Sequence, residues 1–399
     1  MSSATSLNPA EFAAPPVAHT IQTRSLIVGV VAAALSVVGA FQAPDQFFRS
    51  YLVGYMAWLG VTLGAMAILM LVHLTGGKWG MVIRRILEAA VKTVPLMAVL
   101  FVPLIAGIRK LYPWAEDREA LMANGLWRIS QAYLSPRLFV MRAVFYFVIW
   151  AVLAYLLTKW SGEQNTPGEH NYDNRFRNLS GPGLVLWGLT VSFASIDWVM
   201  SIDPRWVSTI YGLLFIAGQA LSAFCFVVVV ETILSRYQPM SDLLKPSYVH
   251  DHGKFILAFV MVWAYFGFSQ WLIIWAGNLP EEITWYLTRL HGGWQWVGLL
   301  LALFHFGVPF VLLLSRDLKR KARTLVKVAV WLLIMRLVDL FWLIAPNFHS
   351  QLSVSWLDIV VPVALGGFWL ALFFRNLRGQ PLLPLYDPHT REFLEPAHE

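Results

Sequence analysis

Ionisable side chains are scarce in this chain, and several stand inside long apolar runs. A charge at membrane depth is costly and by default marks a pathway or a site. Glu88 and Lys92 lie four residues apart, which places them on one helix face, with the acid N-terminal to the base in the favourable order. His73 closes the preceding apolar run on the same side. These three are candidates for a proton intake; the plainer alternative is a salt bridge whose stems snorkel to the interface. Asp197 lies deep in the run SFASIDWVMSIDPRW, with Ser192, Ser195 and Trp198 around it and Asp203 and Arg205 in the turn that follows. A carboxylate left in low dielectric can exchange protons near neutrality. The alternative is a structural pair between Asp197 and Arg205.

Glu231 closes one apolar run, and His250-Asp251-His252 opens the next. A His-Asp-His run suggests a metal, but residues two apart on a helix do not share a face. Two readings remain: Asp251 as a helix N-cap, or the group as a second proton intake. Arg336 and Asp339, three apart, are expected to form a buried ion pair. His305, near the middle of its run, can relay a proton or donate to a carbonyl. Asp358 stands near the end of the last run and is expected at the interface.

The chemistry that is missing narrows the field. The chain has no G-x-x-x-x-G-K-[ST], no H-E-x-x-H, no dinucleotide fingerprint and no G-x-S-x-G elbow. Its one cysteine, Cys225, cannot form an internal disulfide or hold an iron–sulfur cluster, and no C-x-x-C-H is present for covalent haem. No covalently bound cofactor is expected; quinone, quinol or lipid remains the ligand class. Ion handling, binding of a lipid-soluble ligand and scaffolding in a larger complex are the surviving functions.

The elements that must hold these residues are transmembrane helices. Of 399 residues, 58% are hydrophobic and only 13% charged, against about a quarter charged in soluble domains. Most of the outer surface must therefore face lipid, an all-α polytopic architecture. The 19 Trp and 26 Phe suit membrane interfaces. A net charge of +7 could suggest nucleic acid, but the basic residues cluster in short loops between apolar runs, so no nucleic-acid partner is expected.

Ten runs are long enough to span: 25–42, 51–74, 87–108, 138–157, 183–200, 207–233, 255–277, 293–314, 326–344 and 354–374. Pro95, Pro103, Pro309 and Pro362 fall within spans, where each kinks the helix and frees a carbonyl. The even loops, with Lys78, Arg84, Arg85, Lys159, Arg175, Arg177, Arg236 and the 316–323 cluster, are richer in basic residues than the odd loops. The positive-inside rule then puts the even loops and both termini in the cytoplasm. Three parts follow: a polar, disordered tail (1–22), a ten-helix domain (23–376) and a C-terminal tail (377–399). The 109–137 connection is expected as short helices on the outer surface, and 158–182 as a flexible cytoplasmic loop.

Two stretches carry more than composition. Residues 180–220, SGPGLVLWGLTVSFASIDWVMSIDPRWVSTIYGLLFIAGQA, and 253–289, GKFILAFVMVWAYFGFSQWLIIWAGNLPEEITWYLTR, resemble the ActF-type membrane subunits of bacterial alternative complex III, a quinol:electron-acceptor oxidoreductase. So do 48–80, the 383–398 tail and the ten-span layout. The resemblance implies a fold like the NrfD family, two four-helix bundles plus peripheral helices, in a bacterial inner membrane. It implies partner subunits: an ActC-like chain with the quinol site, and others with iron–sulfur clusters and c-type haems. This chain would contribute a scaffold and a proton half-channel to respiratory or photosynthetic electron transport. Asp197, Asp203, Glu281 and Glu282 are the polar positions of the resembling motifs. The rival readings are a structural anchor, a quinone-binding anchor, and a secondary transporter. A transporter would show paired broken helices in inverted repeats, and the sequence has no such matched pair.

Overall fold

The computed structural model describes residues 8–123, 125, 126, 133–167 and 171–394. These residues are helical throughout their regular elements, with no strand among them. Among the described residues, ten helices are long and apolar enough to cross a membrane: α1 (Pro16–Gln42), α2 (Pro44–Thr75), α3 (Lys78–Ala106), α4 (Pro136–Glu163), α5 (Asp173–Ile202), α6 (Tyr211–Leu234), α7 (Pro246–Gly277), α8 (Trp294–Leu314), α9 (Ala322–Asn347) and α10 (Leu357–Arg378). About 20 apolar residues suffice to span the hydrocarbon. The chain is an all-α, multi-pass integral membrane protein. The described end segments meet at one face, where Leu382 N donates to Phe12 O at 2.7 Å, and this is called the terminal face below.

Local chemistry sets the helix ends and breaks. Proline occupies the first turn of α1, α2, α4 and α7, where its missing N–H has no intrahelical partner to lose. Ser135 caps α4 by accepting from the Leu138 amide. α3 is interrupted at Lys92–Thr93, ahead of Pro95, and at Phe101, ahead of Pro103. α8 makes a π-helical turn at Ala302–Gly307, just before Pro309.

The helices close into two rings of four. α2 packs on α3 and α5, and α4 completes that ring; α6 packs on α7 and α9, and α8 completes the second. α2 and α6 form the seam between the rings, and α10 covers α2 and α3 while α1 lies along α10. In lipid no hydrophobic drive brings helices together, so close backbone approach through small residues matters most. α1 meets α10 where Gly29 and Gly367 touch backbone to backbone, leaving no room for a Cβ on either.

The tails differ from their expected form. The 1–22 segment was expected to be disordered, yet α1 starts at Pro16. Before it, Pro9–Phe12 makes a 3-10 turn in which Phe12 is buried and its carbonyl accepts from Leu382 N at 2.7 Å. Residues 1–7 lie outside the described set. The C-terminal segment folds back onto the terminal face: Tyr386 N donates to Gln164 O at 2.9 Å, and Asp387 and Thr390 are buried. Residues 395–399 lie outside the described set.

In the 109–137 connection, short helices form at Ile108–Leu111, Pro113–Ala115 and Arg118–Ala123. They do not merely rest on a surface. Tyr112 and Trp114 are buried and donate to the carbonyls of Trp198 (2.7 Å) and Ser201 (3.0 Å), plugging the first ring. Residues 124 and 127–132 lie outside the described set. The expected 158–182 loop is shorter than its composition suggests, because α4 runs to Glu163 and α5 begins at Asp173; residues 168–170 are not described. A separate helix, Pro280–Arg289, joins α7 to α8 on the face opposite the termini.

Candidate functional site

The first turns of α3 place Arg84 and Arg85 four and three residues before Glu88, so all three reach one neighbourhood. Glu88 is fully buried. It accepts from Arg84 Nε at 3.1 Å, Arg85 at 2.6 Å and the Ser161 hydroxyl at 2.5 Å. Arg84 also reaches Asp387 (2.7 Å) and Gln164 (2.6 Å), and Arg85 reaches Asn165 (2.5 Å). Two cations thus face two anions, the arrangement in which burial of charge is tolerable. The expected Glu88–Lys92 pair is not direct. Lys92 Nζ donates to Gln380 Oε1 at 2.9 Å, and Gln380 Nε2 lies 3.4 Å from Glu88, so the returning C-terminal segment stands between them.

His73 stacks on Phe176, ring centroids 4.0 Å apart and planes 2° from parallel, with the Arg84 guanidinium 5.0 Å over the same ring. Its Nε2 is buried without a partner among the described residues. A cavity of about 300 Å³, lined by His73, Lys78, Arg84, Arg177, Asp387 and neighbours, leads from the terminal face to this network. Deeper in the ring, the Thr62 and Thr93 hydroxyls are 2.9 Å apart and Trp369 donates to Thr62 at 2.8 Å. Tyr55 and Tyr51 donate to the Met97 and Leu100 carbonyls in the broken part of α3. Beyond them Phe101, Phe139, Trp150 and Trp198 close the ring with aromatic contacts.

Asp197 lies on the far side of that plug, fully buried. Its expected partner, Arg205, is not the one used. Arg142 of α4 grips it with two donors, at 2.8 and 3.0 Å, and the Tyr146 hydroxyl donates at 2.8 Å. A two-pronged guanidinium is the strongest neutral-pH partner for a carboxylate, so Asp197 is not an isolated acid. Arg142 in turn stacks over Tyr133 at 3.9 Å. Asp203 is half-buried and accepts from the Arg205 amide at 3.3 Å. Glu281 is exposed and Glu282 half-buried in the first turn of Pro280–Arg289, where acids complement the helix dipole.

In the second ring, Glu231 and His252 are both fully buried, with His252 Nδ1 2.9 and 3.1 Å from the two carboxylate oxygens. His252 Nε2 is 3.0 Å from the Trp79 carbonyl and must donate to it. One further proton therefore sits between Nδ1 and Glu231, on the imidazole or on the acid. Asp251 is not a helix N-cap, because α7 already begins at Pro246 with Lys245 as its cap. Asp251 instead meets Lys254 at 3.0 Å on the surface, and His250 is half-buried.

Arg336 and Asp339 are in contact and buried, and Trp263 donates to Asp339 at 3.2 Å. Trp263 stacks on His305, centroids 4.1 Å apart. His305 sits fully buried in the π-helical turn, with neither ring nitrogen partnered among the described residues. Asp358 accepts from Ser50 at 2.5 Å and Gln46 at 3.0 Å, tying α10 to α2.

No protein-family model matches the chain, and no curated protein matches its sequence. The reading of the site rests on its contacts. The structure brings His73, Glu88 and Lys92 together with residues that sequence reasoning passed over: Arg84, Arg85, Ser161, Gln380 and Asp387. The arginines were readable as topology signals, although their three- and four-residue spacing to Glu88 also predicts an ion cluster. Arg142 and Tyr146, one turn apart in α4, were missed because only a tertiary contact joins them to Asp197.

Proposed function

We propose that this chain is a membrane subunit of a quinol:electron-acceptor oxidoreductase of the alternative complex III type, and that its first ring carries a half-path for protons. The observation behind this is the buried Arg84–Arg85–Glu88–Asp387 network, reached from the terminal face through a cavity that His73 lines. Paired cations and anions keep a carboxylate ionised inside the membrane, and hydroxyls such as Ser161, Thr62 and Thr93 can pass a proton onward. The aromatic closure beyond them makes this a half-path. Asp197, Arg142 and Tyr146 would serve the opposite side. In this reading the terminal face is cytoplasmic and the membrane is the bacterial inner membrane. The quinol site, iron–sulfur clusters and c-type haems belong to partner subunits, including an ActC-like chain. The resemblance of residues 180–220 and 253–289 supports the assignment.

Purification in mild detergent, with mass spectrometry of associated chains and a haem spectrum, tests the assembly; a chain that purifies alone and without haem-bearing partners removes the assignment. His73→Phe, which keeps the stack on Phe176, and Lys92→Met in the reconstituted complex test the path. Fewer protons released per quinol is expected, and unchanged stoichiometry with normal assembly refutes it.

A further inference from the structure

A second cavity, of about 720 Å³, lies on the second ring between α7, α8, α9 and the helix Pro280–Arg289. Its rim includes exposed Tyr265, Phe268 and Leu299, apolar side chains of the lipid-facing surface. Its walls are largely apolar and aromatic. Two charged residues line it, and they differ in one respect. Asp339 has its own counter-ion, Arg336. Arg289 makes no ion pair among the described residues.

Arg289 is 1% exposed. Its guanidinium lies 3.4 Å over Trp285 and 5.6 Å from Trp342. Its donors reach only neutral oxygens: the carbonyls of Trp285 (2.9 Å) and Leu343 (2.8 Å) and the Thr288 hydroxyl (3.4 Å). Nε is buried with no partner among the described residues. A cation buried without an anion is among the most costly groups a fold can hold. Burial accordingly pulls the guanidinium down to about 9, an effect that Tyr211, Tyr286 and Asp203 only partly offset. An anion at the free edge would reverse that cost, and a guanidinium fork is shaped for phosphate.

We propose that this cavity binds a net-anionic phospholipid, with its phosphodiester on Arg289 and an acyl chain along the aromatic wall. A soluble anion would find the charge but waste the apolar opening; a neutral ring would fill the opening but leave the charge unmatched. The inference does not depend on the proton half-path or on the oxidoreductase assignment.

The test uses the full chain, with whatever subunits accompany it, reconstituted in nanodiscs of phosphatidylcholine or of phosphatidylcholine with phosphatidylglycerol. Retained lipid is counted by native mass spectrometry after transfer to mild detergent. Wild type is expected to retain phosphatidylglycerol over phosphatidylcholine by about tenfold or more, the value of a charge-assisted contact in a dry site. Arg289→Gln should abolish the preference and Arg289→Lys should keep part of it. Gly298→Leu provides a variant that leaves Arg289 in place. A Cβ at Gly298 meets Trp342 at an ordinary 3.6 Å, so the fold tolerates it while the longer side chain occupies the cavity; retention should fall. Equal retention of both lipids by wild type overturns the proposal. So does loss of retained phosphatidylglycerol to millimolar inorganic phosphate, which would mark a soluble-anion site, or to a short-chain quinone, which would mark a neutral-ring site.

Discussion

Glu88→Gln should be among the most damaging isosteric changes in this protein, and the contacts say by how much. The amide keeps the shape of the carboxylate but removes its charge and turns one acceptor into a donor facing a guanidinium. Arg84 retains Asp387 at 2.7 Å, whereas Arg85 loses its only ion-pair partner among the described residues. Removing one partner of a buried pair costs about 3–5 kcal/mol; with Arg84 still compensated, the lower end applies. About 3 kcal/mol is roughly a 10²-fold increase in the open population. The chain carries its own probe, because Cys225 is the single cysteine and is fully buried in α6. Its labelling by a fluorogenic maleimide under native conditions reports opening. Glu88→Gln should raise the labelling rate about 10²-fold. Lys254→Ala, which breaks an exposed pair with Asp251, should change it by less than about fivefold. Glu88→Gln combined with Arg85→Met should recover part of the loss, since the stranded charge goes too. If Glu88→Gln labels no faster than Lys254→Ala, the network does not hold the terminal face together and the reasoning fails.

The same probe checks three further expectations. Arg142→Lys should destabilise by about 1–3 kcal/mol, because an ammonium cannot reproduce the two-pronged grip on Asp197, and a double-mutant cycle with Asp197→Asn should show coupling. Gly367→Leu should cost about 1–3 kcal/mol and expose α1 to protease, as the new side chain meets the Gly29 backbone; Gly188→Leu, which meets nothing within 4 Å, should be tolerated. His349, held below the ordinary imidazole value by burial and by the Arg49 charge, favours the neutral ring in the folded state. Its contribution is present above the unfolded value of about 6.5 and is lost as pH falls, so wild type should lose more stability than His349→Gln between about pH 7.5 and pH 5.

Span positions could be read from the sequence because a bilayer fixes helix length, and an apolar run of that length has few other fates. Pairings could not be read in the same way. Asp197 and Arg142 are separated by 55 residues, and Arg84 and Asp387 by 303. Sequence spacing ranks only near neighbours, so it offered Arg205, eight residues on, to Asp197 and Lys92, four residues on, to Glu88. Arg142 of α4 took Asp197 and Gln380 of the C-terminal segment took Lys92, while Glu88 kept Arg84 and Arg85 of its own helix. The C-terminal segment shows the cost of judging by composition: polar residues read as a tail, but Gln380 and Asp387 are polar because their partners are charges, Glu88 and Arg84 buried and Lys92 half-buried.

His305 shows the other limit. Its depth in α8 was readable, but its surroundings depend on a backbone event. Pro309 has no N–H for the carbonyl four residues earlier, that of His305 itself. The helix answers with a π-helical turn over Ala302–Gly307, and Trp331 of α9 fixes the new register by donating to the Phe304 carbonyl at 2.8 Å. The extra residue turns the imidazole inward against Trp263, away from any partner for either nitrogen. Such bulges gather at functional sites. Here the bulge puts an unpartnered imidazole behind the wall of the lipid-open cavity, where Trp263 separates it from Asp339 and Arg336. The two rings therefore treat buried polarity differently. The first gathers it into a dense network open to the terminal face; the second pairs Glu231 with His252 and Arg336 with Asp339 but holds Arg289 and His305, which make no ion pair among the described residues, close to an apolar opening, the arrangement expected where a molecule from the bilayer completes the site.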